Sequence, residues 1–203
     1  MPRSIPSAPN VGPLLGLLVA VAVGAAGCTP VGMAIGAGAA GATATQTEKG
    51  FATAVDDARI KAELNGLFFT TNADLFQEVT FKVEEGRVLL TGVVPKPDDR
   101  VQPSKLAWSV DHVREVLNEL KVSDETSLTD KGRDITIAAK LRARLLVDDK
   151  VSLINYSIDV VNQTVYIMGV ARTEAELQRV LGTARDITYV RQVVDFVRVA
   201  KPA

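Results

Sequence analysis

Sulfur, imidazole and aromatic surface are all scarce in this chain. Its 203 residues hold one cysteine, Cys28, and one histidine, His112. A lone cysteine excludes an intrachain disulfide and any cysteine-based metal cluster. With no cysteine near His112 and no second histidine, neither a metal site nor a nucleophilic triad can be assembled from it. Aromatics are few, with one Trp and three Tyr, and the formal net charge is −1. A nucleic-acid surface needs a basic excess or a basic face rich in aromatics, so that class is excluded. The adjacent acids Asp98-Asp99 and Asp148-Asp149 fit helix caps and solvated turns. No catalytic constellation, cofactor motif or metal-ligand spacing emerges, and the expectation is a non-enzymatic chain.

Charge is also missing from the N-terminal quarter, where Arg3 is the only charged residue before Glu48. A short basic start, an apolar run from Val11 to Ala26 and small residues before Cys28 make a signal-peptide layout over residues 1–27. Ala25-Ala26-Gly27-Cys28 resembles the lipobox of bacterial lipoproteins, with Ala25 where that motif usually has Leu. The resemblance implies cleavage before Cys28, diacylation of its sulfur and acylation of its new amine. Several acyl chains anchor stably, at ~0.8 kcal/mol per buried CH₂. Thr29 follows, where an Asp would resemble an inner-membrane retention signal, so the expected location is the periplasmic face of the bacterial outer membrane. Residues 28–52 then form a Gly/Ala-rich tether. The GxxxG spacing of Gly32 to Gly36 leaves a spanning helix as a second reading. The segment's shortness and its glycines favour a flexible or membrane-lying linker.

What the remainder has is a repeat. Val88-Leu89-Leu90-Thr91-Gly92-Val93 is echoed by Val165-Tyr166-Ile167-Met168-Gly169-Val170, an offset of 77 positions from Gly92 to Gly169. The same offset aligns Asp57 with Asp134, Ile60 with Ile137, Leu64 with Leu141, Val83 with Val160, Ala107 with Ala184, Val116 with Val193 and Val122 with Val199, with no insertion. Two modules follow, at residues 53–122 and 134–200, joined by a polar linker at 123–133. In the first, Ile60, Leu64, Leu67 and Phe68 fall on one face of a helix from Asp56 to Phe69. Val79, Phe81 and Val83 alternate as a strand, Glu85-Gly86 turns the chain, and Arg87 to Val94 returns. Asp98 to Val110 is a second helix with Pro103 kinking it or in its first turn, and Val113 to Val122 a last strand. The fold class is therefore α+β: two tandem αββαβ modules, each a three-stranded sheet covered on one face by two helices. The opposite sheet face needs a partner or must be polar.

That order, the strand-ending glycines, Gly86-Arg87-Val88-Leu89-Leu90-Thr91-Gly92 and Val113-Arg114-Glu115-Val116 resemble the BON domain. Two copies behind a lipobox look like the dual-BON outer-membrane lipoproteins. The resemblance implies a non-enzymatic periplasmic module supporting envelope integrity and stress tolerance, with anionic phospholipid bound through the second copy. Some relatives carry Trp near the start of that copy's first helix, where this chain has Asp134-Ile135-Thr136-Ile137. Contact with envelope-assembly proteins belongs to the same reading, and the alternative is a chaperone-like or scaffold protein whose sheet faces engage unfolded envelope proteins.

Candidate sites lie where the copies differ. Residues 57–122 carry 9 basic and 11 acidic side chains and residues 134–199 carry 9 and 8. Lys140, Arg142 and Arg144 on the second copy's first helix, with no acid between Asp134 and Asp148, are the candidate surface for anionic headgroups. Lys140 and Arg144 share a flank while Arg142 points elsewhere, so a solvated helix face remains the competing reading. Trp108 projects away from the buried side of its helix, and its repeat counterpart is Arg185. Such a position is not core, and docking of the two copies is its first expected role, ahead of a protein partner or a membrane interface. Gly92 and Gly169 are read as structural, where only hydrogen fits against the packed helix.

Overall fold

The computed structural model describes residues 50–123 and 128–201. Cys28, the tether up to residue 49 and the ends of the chain lie outside that range, and residues 51 and 52 of the expected tether belong to the first helix. Helix α1 (Phe51–Phe76) leads into the hairpin β1 (Val79–Glu84) and β2 (Arg87–Val94). A 3-10 turn (Pro97–Arg100) opens α2 (Val101–Trp108), and β3 (Glu115–Asn118) and β4 (Lys121–Val122) complete the first module. The second repeats the order with α3 (Leu128–Leu146), a 3-10 turn (Leu153–Asn155), β5 (Tyr156–Val161), β6 (Thr164–Ala171), α4 (Glu174–Arg185) and β7 (Gln192–Val199). In each sheet the middle strand is antiparallel to its hairpin partner and parallel to the last strand. The register repeats as well, since Val79 faces Gly92 and Tyr156 faces Gly169.

Helix periodicity builds the two inner cores. Ile60, Leu64 and Phe68 of α1 pack with Ala107 of α2 on Val83, Val88 and Leu90. Phe68 meets Phe81 edge-on at 5.4 Å, a favoured aromatic geometry. Ile137, Leu141 and Leu145 of α3 pack with Val180 and Ala184 of α4 on Ile158, Val165 and Ile167. Each hairpin turns through two residues of positive φ, Glu85 (55°) and Gly86 (72°) or Asn162 (49°) and Gln163 (64°), the type I′ geometry that suits strand twist. An aspartate clamps each turn. Asp57 accepts from the Glu85 and Gly86 amides at 3.0 and 2.8 Å, and Asp134 from those of Asn162 and Gln163, both at 2.7 Å. Asp57 is only 1% exposed, so this charge is held inside by the backbone donors it satisfies.

Several boundaries move from those expected. Helix α1 runs on to Phe76 across a break at Asn72, whose φ of −162° is extended. Helix α3 begins inside the stretch assigned to the linker. Its first turns lack an apolar period but gain an Arg133–Asp130 ion pair at 3.1 Å and a Lys131–Glu78 pair at 2.9 Å to the first module. The single last strand expected in the first module is two. Asn118 turns its amide to Ser104 and the Arg100 carbonyl, both at 2.7 Å, while its Oδ1 takes the Leu120 amide. Pro103 falls in the first turn of α2, where a missing N–H costs least.

Candidate functional site

The sheet faces turned away from the helices pack on each other. All eight residues of β2 and all eight of β6 are buried, which an alternating one-sided strand would not be. The centre of the contact is Leu89, Tyr166 and Met168, with Leu117, Val161, Val194 and Phe196 around them. Leu89 and Tyr166 occupy the same repeat position. Strand β2 also touches β5, and β1 touches β6. These pairs exchange under the repeat, as an approximate two-fold between modules requires. Polar bonds ring the apolar centre. Arg87 donates to the Phe196 carbonyl at 2.7 Å and pairs with Glu115 at 2.6 Å. Ser157 donates to Glu84 at 2.7 Å, Lys121 to Thr164 at 2.9 Å, and Thr91 to the Asp159 carboxylate. Tyr166 is fully buried, and burial, with Glu119 and Asp159 nearby, pushes its hydroxyl up to about 12.

The module docking expected of Trp108 is therefore done by the sheets. Trp108 is 56% exposed at the end of α2, on the helical layer opposite the contact, and Arg185 is exposed at the end of α4. Neither belongs to the interface. The open sheet faces invoked for a chaperone-like role are covered as well, each by the other.

Gly92 and Gly169 sit at φ 134° and 149°. A Cβ on either would lie 2.0 Å from a carbonyl oxygen, that of Glu78 or of Asn155. The close approach comes from the chain entering the neighbouring strand, not from a packed helix. His112 (φ 68°) and its counterpart Tyr189 (φ 76°) fill equivalent exposed turns before the last strands.

The candidate cationic surface divides on α3. Lys140 and Arg144 are exposed on one flank. Arg142 lies on the other flank, where its guanidinium donates to the Ile158 carbonyl at 2.7 Å. By the 100° helical rotation, Leu128, Ile135 and Leu146 fall within about 20° of one another beside Arg142. Ile135 and Leu146 are 71% and 73% exposed. Between this apolar stripe and the Lys140–Arg144 flank lie the small residues Gly132, Thr136, Ala139 and Ala143, all exposed. Ile135 also overlooks a cleft of ≈ 470 Å³ bounded by α3, the end of β5 and Gly92-Val93 of the first module. The charged groups on that cleft are engaged: Asp134 with its turn, Lys131 with Glu78, Asp159 with Thr91, and Arg142 with the Ile158 carbonyl.

Behind α3, Thr173 caps α4 by accepting from the Glu176 amide at 3.1 Å. Glu176 reaches back to the Ser152 and Arg172 amides at 2.8 and 3.0 Å and to the Arg172 guanidinium at 2.9 Å. Burial pulls the Glu176 pKa up, but these donors outweigh it and hold the carboxyl below its ordinary value. The Thr-x-x-Glu spacing was a readable capping-box signal. In the sequence the turn clamps show only as a repeated Asp57/Asp134 pair, because nothing local ties a helix carboxylate to a hairpin so far along the chain. Among the described residues no cluster of His, Cys, Asp and Glu is arranged to hold a metal ion, and no helix is long and apolar enough to cross a membrane.

Comparison with known proteins follows the repeat. The family model described as "BON domain" matches twice, over residues 56–124 and 133–201. An uncharacterised protein from the gshII 5′ region of Anaplasma centrale is 39% identical over 145 residues, 71% of this chain and 95% of that protein. The outer membrane lipoprotein DolP of Haemophilus influenzae is 26% identical over 181 residues, covering 89% of this chain and 92% of DolP. The osmotically-inducible protein Y of Escherichia coli is 23% identical over 141 residues, covering 68% and 70%.

Proposed function

The chain belongs to the BON domain family, with two tandem copies, and from that premise we propose that it is a non-enzymatic envelope protein, lipid-anchored through Cys28, whose second module rests on anionic phospholipid. The likeness to an outer membrane lipoprotein along nearly the whole chain supports the periplasmic face of the outer membrane as its place. Support of envelope integrity, through lipid and envelope-assembly proteins, is the role that place implies.

The observation that carries the lipid reading is the outer surface of α3. A helix lying in a membrane interface needs apolar side chains to insert, cations to meet headgroups, and a low ridge between them. Leu128, Ile135 and Leu146 supply the first, Lys140 and Arg144 the second, and Gly132, Thr136, Ala139 and Ala143 the third. Each cation near an anionic surface contributes ~1 kcal/mol, and each inserted aliphatic side chain ~1.5–3 kcal/mol when fully buried. This chain has Asp134-Ile135-Thr136-Ile137 in the stretch near which some relatives carry Trp, so the aliphatic Ile135 takes the inserting role.

Co-sedimentation of the full chain with vesicles of zwitterionic lipid, with and without phosphatidylglycerol, tests this. Binding should require the anionic lipid, weaken with salt, and fall at least tenfold in Ile135→Asp and in Lys140→Glu/Arg144→Glu. Binding indifferent to salt and to both variants refutes the α3 surface. Labelling with a radioactive fatty acid in wild type but not in Cys28→Ala tests the anchor separately.

A further inference from the structure

Sheet edges carry unpaired amides and carbonyls and invite added strands unless something covers them. Three of the four outer edges here are occupied by a side chain. On β7, Asp195 accepts from the Val197 amide at 2.8 Å. Beyond β3, Asn118 accepts from the Leu120 amide at 3.1 Å. On β5, Arg142 of α3 reaches across and donates to the Ile158 carbonyl.

The fourth edge, β1, has no such cover. Through the 77-residue repeat, Phe81 is the counterpart of Ile158 and Asn65 of Arg142. The engaged Ile158 carbonyl therefore identifies the Phe81 carbonyl as outward-facing, since alternate residues of an antiparallel pair turn their groups outward. The Asn65 side chain is too short to make the bond Arg142 makes. Among the described residues no side chain hydrogen-bonds to the Phe81 amide or carbonyl. What takes the place of the guanidinium is space: a groove of ≈ 480 Å³ runs along this edge, lined by Lys61, Asn65, Val79, Thr80, Phe81 and Lys82.

The geometry points to β1 as a docking edge for an extended, acidic segment of another protein, which adds as a further strand to the first module's sheet. Backbone bonds to the outward groups of Val79, Phe81 and Val83 supply the pairing, the usual basis of strand addition. Charge selects the occupant. Lys61 lies on the helix side of the edge and Lys82 on the opposite face, and neither ammonium has a partner among the described residues. An incoming strand sends successive side chains to opposite faces, so carboxylates on both of its faces meet these two cations. A second copy of β1 would instead bring another Lys61 and Lys82 against them, and like charges across a strand pair destabilise it. This surface belongs to the first module and uses none of the α3 residues assigned to lipid.

The test uses the full chain and a fluorescent eight-residue peptide of paired glutamates alternating with paired valines, which puts carboxylates on both faces of an extended strand, with a lysine–valine peptide of the same pattern and a centrally proline-substituted peptide as controls. The acidic peptide should bind with hydrogen-exchange protection appearing at residues 79–83, and both controls should bind at least tenfold more weakly. Asn65→Arg, which installs the cover that the second module already has, should weaken the acidic peptide at least tenfold. Lys61→Glu/Lys82→Glu should reverse the preference toward the lysine–valine peptide. Both variants change side chains outside the core, and an unchanged thermal midpoint verifies their folding. Absence of binding, protection elsewhere, or equal binding by folded Asn65→Arg overturns the proposal. So does self-association of the chain that Asn65→Arg abolishes, because that would make a second copy the occupant.

Discussion

Replacing Leu89 by Asp separates the contribution of the sheet-on-sheet contact from that of each module's own core. Leu89 faces the other module, and the inner core of its own module is built from the opposite side of β2, from Val88 and Leu90. Burying Leu89, Tyr166 and Met168 stabilises docking by roughly 5–9 kcal/mol before the cost of ordering is counted, at ~1.5–3 kcal/mol per fully buried side chain. The polar bonds around them add ~0.5–1.5 kcal/mol each. A carboxylate placed among these groups lacks a cationic partner at the centre, and the cost of burying it, several kcal/mol, removes most of that gain. Since the modules are covalently joined and each retains its own core, the expected result is undocking, not unfolding. Calorimetry should show one cooperative transition for the native chain and two for Leu89→Asp, with the exchange protection of the hydrogen-bonded backbone amides of β2 and β6 retained within each module. Leu89→Ala should be intermediate, costing ~2–4 kcal/mol of docking. A single transition for Leu89→Asp within a degree or two of the native midpoint would refute the claim that these faces hold the modules together.

Gly169→Ala should cost at least ~3 kcal/mol in urea unfolding, because its Cβ falls 2.0 Å from the Asn155 oxygen at a backbone conformation that alone costs ~1–3 kcal/mol. Asp134→Asn exchanges a carboxylate that accepts two amide bonds for an amide that offers one acceptor. The urea midpoint should report a loss of ~2–4 kcal/mol, since bonds to charged groups contribute ~1.5–3 kcal/mol each. The lowered pKa of Glu176 means that the folded state binds its proton less readily than the unfolded chain does. Its stabilisation is therefore complete above the ordinary carboxylate range and is lost as pH falls through the folded value, so Glu176→Gln should flatten the acid limb of a stability–pH curve. Tyr166 has the opposite alkaline sign. With its folded pKa raised to about 12, the native state keeps a proton that the unfolded state releases above ~10, and stability should fall there. Tyr166→Phe should remove that part of the loss, as read by the thermal midpoint between neutral and alkaline buffer.

The repeat made the module boundaries, the hairpins and the inner cores legible, because helical and strand periodicity are local properties written into short windows. The continuous apolar stretches Val88-Leu89-Leu90 and Val165-Tyr166-Ile167-Met168 place apolar side chains on both faces of their strands, but they do not say what covers the second face. Contacts that join distant segments leave no such local mark. Trp108 looked like a docking residue because it is aromatic, outward and unmatched by its repeat partner, yet exposure on one element does not identify what covers it. The three cations of α3 read as one block along the chain. Their separation required knowing that the Ile158 carbonyl lies within reach of Arg142.

By itself, the sequence determined that this protein is one small α+β module written twice, with glycine at two positions and an aspartate ahead of each hairpin. Local spacing and the 77-residue offset suffice for that. Only the tertiary structure decided that the modules cover each other's sheets, that Arg142 closes one edge, and that Asn65 leaves its counterpart open. Those outcomes depend on where backbone groups far apart in the chain come to lie, and periodicity carries no such distance.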